Sequence, residues 1–376
     1  MSEEEPSILL LAGRFTVRGS CSYTLRLAEH LPAYRLRTSV ACPDAQRVDP
    51  ERRRELNIHE FSHWQLPLWG RVVMRMILRQ LQRDPPDLIH IQSRQAVRAG
   101  MWLARELRRP FVLTVHDYLQ RDEKFIIDRQ WCRRIIAVSE SVKSDLRERT
   151  GLPCELISVI HSGVDTDEAV DETSVLTPGR VPVVGAAGPL EAMKGFPFFL
   201  GAAARVLATG RDVEFVIAGA GPEESNLRRL STTMKIDSHV TFVPNLLEFG
   251  DALEAMDIFC LPSLQQGIGT IMLEAMSMGR PVIATRVGGV FRVIRDRETG
   301  LLVPASNSEV LSERILELLD HPDQARLIGQ NARSEVRQEF SVEQMVSKTV
   351  DLYRSVLAEH RPAKSEDLIY RGTTIQ

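Results

Sequence analysis

The sequence predicts an α/β fold built as two wound, largely parallel sheets, and three observations carry the prediction. Short apolar runs recur along nearly the whole chain. Amphipathic stretches separate them, which is the pattern of buried strands joined by crossover helices. The alternation stops once, at Asp165–Arg180, where acids, Thr, Pro178 and Gly179 replace it, and then restarts. At about 150 residues per domain, a chain of 376 residues is long enough for two or three domains.

The elements follow in order. Ile8–Ala12 reads as the first strand and Tyr23–Leu31 as the first helix. Further strands are expected at Thr38–Ala41, Ile58–Phe61, Leu88–Ile91, Phe111–His116, Ile135–Val138 and Leu156–Ile160, with helices such as Val97–Leu107 and Val142–Arg149 between them. After the break come Val181–Ala186, Val213–Ala218, Val240–Val243, Ile258–Leu261, Val282–Ala284 and Leu301–Val303. Ser308–Glu359 is helical, and a polar tail follows. The expected organisation is an N-terminal Rossmann-like domain over 1–165, a linker over 166–180 and a second Rossmann-like domain over 181–342. A helix and tail over 343–376 complete it. Ligands of such sheets bind beyond the carboxyl ends of the strands, so the cleft between the halves is the expected site.

Composition narrows the function. With 43% hydrophobic and 26% charged residues the chain is an ordinary globular one, and a net charge of −3 gives no case for nucleic-acid binding. The charge is uneven: residues 1–165 carry +5 and residues 166–376 carry −8, so the first half is the one suited to an anionic partner. Five scattered cysteines without a CxxC pair fit reduced thiols better than disulfides or zinc. The start, Met-Ser-Glu-Glu-Glu, lacks the basic character of a secretory signal, and no apolar run approaches the ~18 residues of a membrane span. A cytoplasmic location is expected. There is no GxxxxGK[ST] loop and no HExxH. Gly219-Ala220-Gly221 lacks the third glycine of a dinucleotide fingerprint and by itself reads as a tight turn.

One stretch is specific. Residues 257–303 read DIFCLPSLQQGIGTIMLEAMSMGRPVIATRVGGVFRVIRDRETGLLVP. A strand ends in Pro262-Ser263, and the turn Gly267-Ile268-Gly269-Thr270 opens a helix carrying Glu274. Gly288-Gly289 and a GLLVP strand follow. This resembles the donor-binding half of the family 4 retaining glycosyltransferases (group 1), which have the GT-B fold of two Rossmann-like domains facing across a cleft. Gly188-Pro189-Leu190 with Lys194-Gly195 looks like the family's GRL…KG segment, and AGAGPEESNLRRL at 218–230 like its GxGP turn. PDLIHIQS at 86–93, LTVHD at 113–117, IIAVSESVKSDL at 135–146 and VIHSGVD at 159–165 match the acceptor-domain landmarks in order. The resemblance covers nearly the whole chain.

It implies a hexosyl-type transferase that takes a nucleotide-diphosphate sugar as co-substrate, with no metal and no other cofactor. As the nucleoside diphosphate leaves, charge builds on phosphate oxygens, and the site must supply cations and preorganised donors. Free backbone N–H groups at a helix start are one source, offered by Gly267, Ile268, Gly269 and Thr270. Lys194 is the other, and in the family it contacts the diphosphate. Glu274 matches the second Glu of the EX7E pair, which holds the ribose hydroxyls; a carboxylate can accept from both. His116 matches a histidine near the donor sugar and reacting centre. His90, on the neighbouring strand, reads as structural. Counting back from Leu27-Ala28, the paired glycines of the first loop, which approach the donor phosphates, read Arg18-Gly19.

Departures from the pattern matter. Pro189 stands where GRL has Arg, Gln266 where EX7E has its first Glu, Arg18 where the first paired glycine belongs, and Arg292 where a Glu follows GG. Ser162 replaces an Asn. Two readings compete: decay to a catalytically degenerate scaffold that keeps a weakened nucleotide-sugar site and acts through protein partners, or relocation of the lost cation to Arg18 or Arg292. Gln266 keeps an acceptor and adds a donor, so it can still hold sugar hydroxyls. Lys194, Glu274, His116 and the glycine turn favour an active enzyme, with Arg18 as the substitute cation. The acceptor is not specified by the sequence.

Trp69–Arg83, WGRVVMRMILRQLQR, is an amphipathic cationic helix with Arg71, Arg75 and Arg79 on one stripe and Trp69, Val72, Val73, Met76, Ile77 and Leu81 opposite. It either packs its apolar arc on the sheet or docks on an anionic membrane surface, a peripheral site at the inner face.

Overall fold

The computed structural model describes residues 5–15, 20–46, 48–64, 69–120, 123–166, 175–244 and 249–360. The first half holds β1 (Ser7–Leu11), β2 (Arg37–Cys42), β3 (Ile58–Glu60), β4 (Leu88–Ile91), β5 (Phe111–Val115), β6 (Cys132–Ala137) and β7 (Ile157–Val159). With them are α1 (Ser20–His30), α2 (Pro50–Glu55), α3 (Trp69–Leu81), α4 (Val97–Leu107) and α5 (Glu140–Thr150). The second half holds β8 (Val183–Ala187), β9 (Glu214–Ala218), β10 (Val240–Val243), β11 (Ile258–Leu261), β12 (Val282–Thr285) and β13 (Leu301–Val303). Its helices are α6 (Phe196–Leu207), α7 (Glu224–Thr233), α8 (Gly250–Glu254), α9 (Thr270–Ser277), α10 (Val290–Val293), α11 (Ser308–Asp320) and α12 (Pro322–Glu339). The last helix is α13 (Val342–His360).

Every strand pairing is parallel. The seven-stranded sheet runs β3-β2-β1-β4-β5-β6-β7, and the six-stranded sheet runs β10-β9-β8-β11-β12-β13. Each is Rossmann-like and reverses direction once, between β1 and β4 and between β8 and β11. These reversals are the switch points where the two flanking loops part and leave a crevice. Strands such as Leu88–Ile91 and Val282–Thr285 are buried at every position, as a sheet covered on both faces requires.

The chain crosses between the halves twice. Residues 167–174 of the expected linker lie outside the described residues. Beyond them Val175 and Leu176 are already buried in the second core, because Asp257 holds the arriving chain. Its carboxylate accepts from Leu176 N at 2.8 Å and Val183 N at 2.9 Å. The helical C-terminal stretch divides into α11, α12 and α13. The last of these returns to the first sheet, where Val342, Met345, Val346, Tyr353 and Val356 share a core with Ile8, Leu10 and Leu27. Tyr353 is fully buried and its hydroxyl hydrogen-bonds His90 Nδ1, while His90 Nε2 lies 2.7 Å from Thr114 Oγ1. His90 is structural, as read. The two crossings are tied to each other: Val164 N donates to Phe340 O at 2.9 Å and Val342 N to Val164 O at 3.1 Å. The five cysteines form no disulfide.

In α3 the expected apolar arc is divided. Of its residues Ile77 is buried and Val73 and Leu81 half-buried, beside Met74 from outside the arc, whereas Trp69 is 69% exposed, Val72 50% and Met76 60%. The helix buries the side facing the sheet, and the arc is too wide for one contact to cover.

Tyr353→Ala should lower stability by about 3–5 kcal/mol, the usual cost of emptying a large aromatic site. Chemical denaturation followed by circular dichroism measures it; a change below about 1 kcal/mol would show that α13 does not hold the first core together.

Candidate active site

Both switch points open onto one cleft. The first sheet contributes Val138 and Ser162 from its carboxyl edge, with His116 and Asp117 just past β5 and Ser22 from α1. The second contributes Ala187, Gly188 and Pro189 after β8, Pro262 and Ser263 after β11, and Lys194, Gln266, Ile268, Gly269, Thr270 and Glu274. The cleft thus gathers most of the residues singled out from the sequence. Arg18 and Gly19 lie outside the described residues. Gly267 packs against the opposite domain, where a Cβ on it would stand 3.3 Å from His116 O.

Backbone packing shapes the wall made by the second sheet. Gly219 has φ +150°, and a Cβ there would fall 1.9 Å from Gly188 O. The Gly219–Gly221 turn therefore nests beneath Gly188–Leu190, with Leu190 N donating to Ala220 O at 2.9 Å. Read alone this pair of glycines signalled only a turn; its partner is what gives it a purpose. Gly288 has φ +53°, and a Cβ there would sit 1.8 Å from Gln266 O. Gly289 N donates to Gly267 O at 2.7 Å, so the Gly288-Gly289 turn fixes the loop that opens α9. At the amino end of α9, Met272 N and Leu273 N donate to Gly269 O at 2.9 and 3.2 Å, and the helix dipole favours an anion ahead of them.

The polar groups converge from several elements. Lys194, at the end of a 3₁₀ turn before α6, donates from Nζ to Gln266 Oε1 at 2.9 Å. Ser263 Oγ donates to the same oxygen at 3.3 Å. The ammonium is thus oriented by a neutral amide. Glu274 lies one turn into α9, and Arg26 of α1 reaches it across the cleft with Nη2 3.3 Å from Oε1. Tyr118 OH donates to Gln266 O at 3.5 Å, a second link between the domains. Pro189 lines the wall where the family pattern has Arg. Arg292 is exposed on α10 and is not among the residues that line this cleft.

His116 is half-buried as a residue, yet its Nε2 is shielded from solvent and has no hydrogen-bond partner among the described residues. Burial pushes its pKa down to about 4, with Arg94 adding to the effect and Asp117 and the Gln92 backbone opposing it. Burial, with the His116 charge, pushes His90 to about 3. Both rings are neutral at neutral pH. Buried polar atoms are normally hydrogen-bonded, so this nitrogen at the cleft wall has capacity for a further contact. Among the described residues no group of His, Cys, Asp and Glu is arranged to hold a metal ion.

Ser22, Ser263, Asp117, Tyr118 and Arg26 belong to the site and were not singled out from the sequence. Arg26 and Glu274 are 248 positions apart, so no spacing could signal the pair.

Comparison with known proteins agrees with this architecture. A family described as Glycosyltransferase Family 4 matches residues 17–168, and one described as Glycosyl transferases group 1 matches residues 181–321. The chain belongs to this family of glycosyltransferases, enzymes with nucleotide-sugar donors. It is 24% identical over 77% of its length to the alpha-D-kanosaminyltransferase of Streptomyces kanamyceticus, covering 83% of that protein. It is 34% identical over 46% of its length to a GDP-mannose-dependent monoacylated alpha-(1-6)-phosphatidylinositol monomannoside mannosyltransferase of Corynebacterium glutamicum, spanning 47% of it. Among solved structures, Anabaena HepE in complex with UDP and glucose superposes with a TM-score of 0.79 at 19% identity, over 93% of this chain and all of the other. The fold is GT-B.

Because the folded-state pKa of His116 lies below the ordinary 6.5, folding favours its neutral form. The stability this contributes is full above pH 6.5 and is lost as pH falls through about 4. Carbon-13 histidine NMR should therefore show the His116 ring neutral at pH 6. A titration midpoint near 6.5 would contradict the burial argument.

Proposed function

We propose that this glycosyltransferase moves a sugar from a nucleotide-diphosphate sugar to an acceptor hydroxyl, with retention of anomeric configuration and without a metal. The observation that carries the reading is the meeting of Lys194, Glu274, the amino end of α9 and the unpartnered His116 Nε2 in one interdomain cleft. Lys194 and the amides of Gly267–Thr270 hold the diphosphate and stabilise its charge as the sugar departs. Glu274 takes the ribose hydroxyls, Gln266 the sugar hydroxyls, and His116, neutral, hydrogen-bonds at the reacting centre. Arg18 supplies the second cation in place of the residue lost at Pro189. Its neighbours in the described chain support that assignment: Ser22 lines this cleft and Phe15 the cavity beside it.

The reading extends to an anionic membrane surface beside the acceptor domain. Trp69, Val72 and Met76 point outward from α3 at helical spacing, next to exposed Arg71, Arg75 and Arg79. An apolar stripe flanked by cations is the pattern of a helix lying in a lipid interface.

Calorimetry against UDP-, GDP-, ADP- and dTDP-sugars, followed by assay of slow hydrolysis without acceptor, tests the central reading. One class should bind at micromolar strength and release nucleotide. Lys194→Ala and Arg18→Ala should each weaken binding by about tenfold or more, the worth of a charge-assisted contact. Failure of the folded protein to bind any of them would favour the degenerate scaffold acting through protein partners.

Vesicle flotation tests the surface. The protein should float with anionic but not neutral vesicles, less so in high salt, and Trp69→Glu with Met76→Glu should abolish it. Absence of salt-sensitive binding would remove the membrane from the account.

A further inference from the structure

Glu274 belongs to the second domain, but it is gripped from the first. Arg26 Nη2 lies 3.3 Å from Glu274 Oε1. The same guanidinium donates from Nε to Asp165 Oδ2 at 3.1 Å and from Nη1 to the Gly163 carbonyl at 2.9 Å. Gly163 and Asp165 flank Val164, the residue that bridges to Ser341 where the chain crosses back. Arg26 is sheltered, at 11% side-chain exposure, and Glu274 at 19%. The arrangement is therefore not a loose surface pair, whose worth would be small.

Geometry gives the contact a direction. A guanidinium is a rigid planar fork. With Nε on Asp165 and Nη1 on Gly163 the fork is fixed in orientation, and Nη2 stands between two carboxylates, 3.0 Å from Asp165 Oδ2 and 3.3 Å from Glu274 Oε1. A carboxylate offers several acceptor positions, so ligand hydroxyls can join it beside Arg26. A paired cation also offsets the cost of sheltering a charge, which an unpartnered carboxylate in the cleft would bear alone. Glu274 and Ser22 line both this cleft and the adjoining cavity, and Arg26 lines the latter, so the contact stands at the junction of the two spaces.

We propose that Arg26 is a positioning residue for donor binding: anchored on the Gly163–Asp165 hinge, it reaches across the cleft and orients the Glu274 carboxylate for the nucleotide ribose. Donor affinity in the second domain then depends on a residue of the first and on the state of the hinge. The inference rests on the reading of Glu274 as the ribose contact.

The test compares wild type, Arg26→Ala, Arg26→Lys, Glu274→Ala and the Arg26→Ala/Glu274→Ala double variant by calorimetry. The probes are whichever of UDP, GDP, ADP and dTDP binds wild type, and inorganic pyrophosphate, which has no ribose. Arg26→Ala should weaken nucleotide binding by about tenfold and leave pyrophosphate within about twofold. Arg26→Lys should recover part of the loss. The double variant should bind no more weakly than Glu274→Ala, because both changes remove one interaction. Unchanged nucleotide affinity in Arg26→Ala beside a loss in Glu274→Ala would overturn the proposal. So would additive losses, or an equal loss of pyrophosphate, which would mark a merely structural role. Wild-type affinity in Glu274→Ala, or no nucleotide bound by wild type, would instead overturn the ribose reading and this inference with it. Pyrophosphate binding also reports that each variant is folded, and Arg26→Lys carries the test if Arg26→Ala is not.

Discussion

Two close backbone approaches at the carboxyl edge of the second sheet set the shape of the cleft. Gly219 lies against Gly188 O and Gly288 against Gln266 O, each at a distance that excludes a Cβ. Both glycines also have positive φ, a conformation that L side chains rarely adopt. The first approach props the Gly188–Leu190 segment, and with it the wall leading to Lys194. The second, with Gly289 N on Gly267 O, fixes the turn that presents the amino end of α9. Side chains then work on a frame that is already rigid: Lys194 is aimed by Gln266, and Glu274 is placed by its turn of helix. Preorganisation of this kind lets an anion be held without reorganising the site.

The second constraint lies between the domains. A cleft enzyme must open to admit substrates and close to exclude water. Here the domains are joined at Val164 and Ser341, where the two crossings share backbone hydrogen bonds, and α13 is locked into the first core by Tyr353 on His90. Arg26 and Tyr118 add contacts from the first domain to Glu274 and Gln266. The contacts between the domains and the geometry of the site thus share the same few residues.

Much of this was legible in the sequence, for physical reasons. The thirteen strands among the described residues each overlap a run expected from apolar periodicity, though β6 begins three residues early at Cys132, because buried parallel strands leave continuous apolar segments bounded by turn residues. Lys194, Gln266, Glu274 and His116 were singled out because they fall in short stretches that resemble a family pattern, and all four line the one cleft. Arg26 was not, since its role depends on a partner far away in sequence, and a lone arginine on an amphipathic helix carries no signal. The division of the α3 arc was also hidden. Periodicity shows which residues share a side of a helix, but not how much of that side the sheet covers. Arg292 drew attention by its charge at a family position after Gly288-Gly289, and it stands exposed on α10 outside the lining of the cleft.

The charge balance of the site follows from its departures. Pro189 removes a cation, and Gln266 leaves the Lys194 ammonium beside a neutral oxygen.

A crystal structure of the protein with the nucleoside diphosphate that binds it tests the central claim most directly. The diphosphate should lie over the Gly267–Thr270 amides within hydrogen-bond reach of Lys194 Nζ, with the ribose at Glu274. A nucleotide bound elsewhere, with Lys194 still on Gln266 and the amino end of α9 in water, would contradict it.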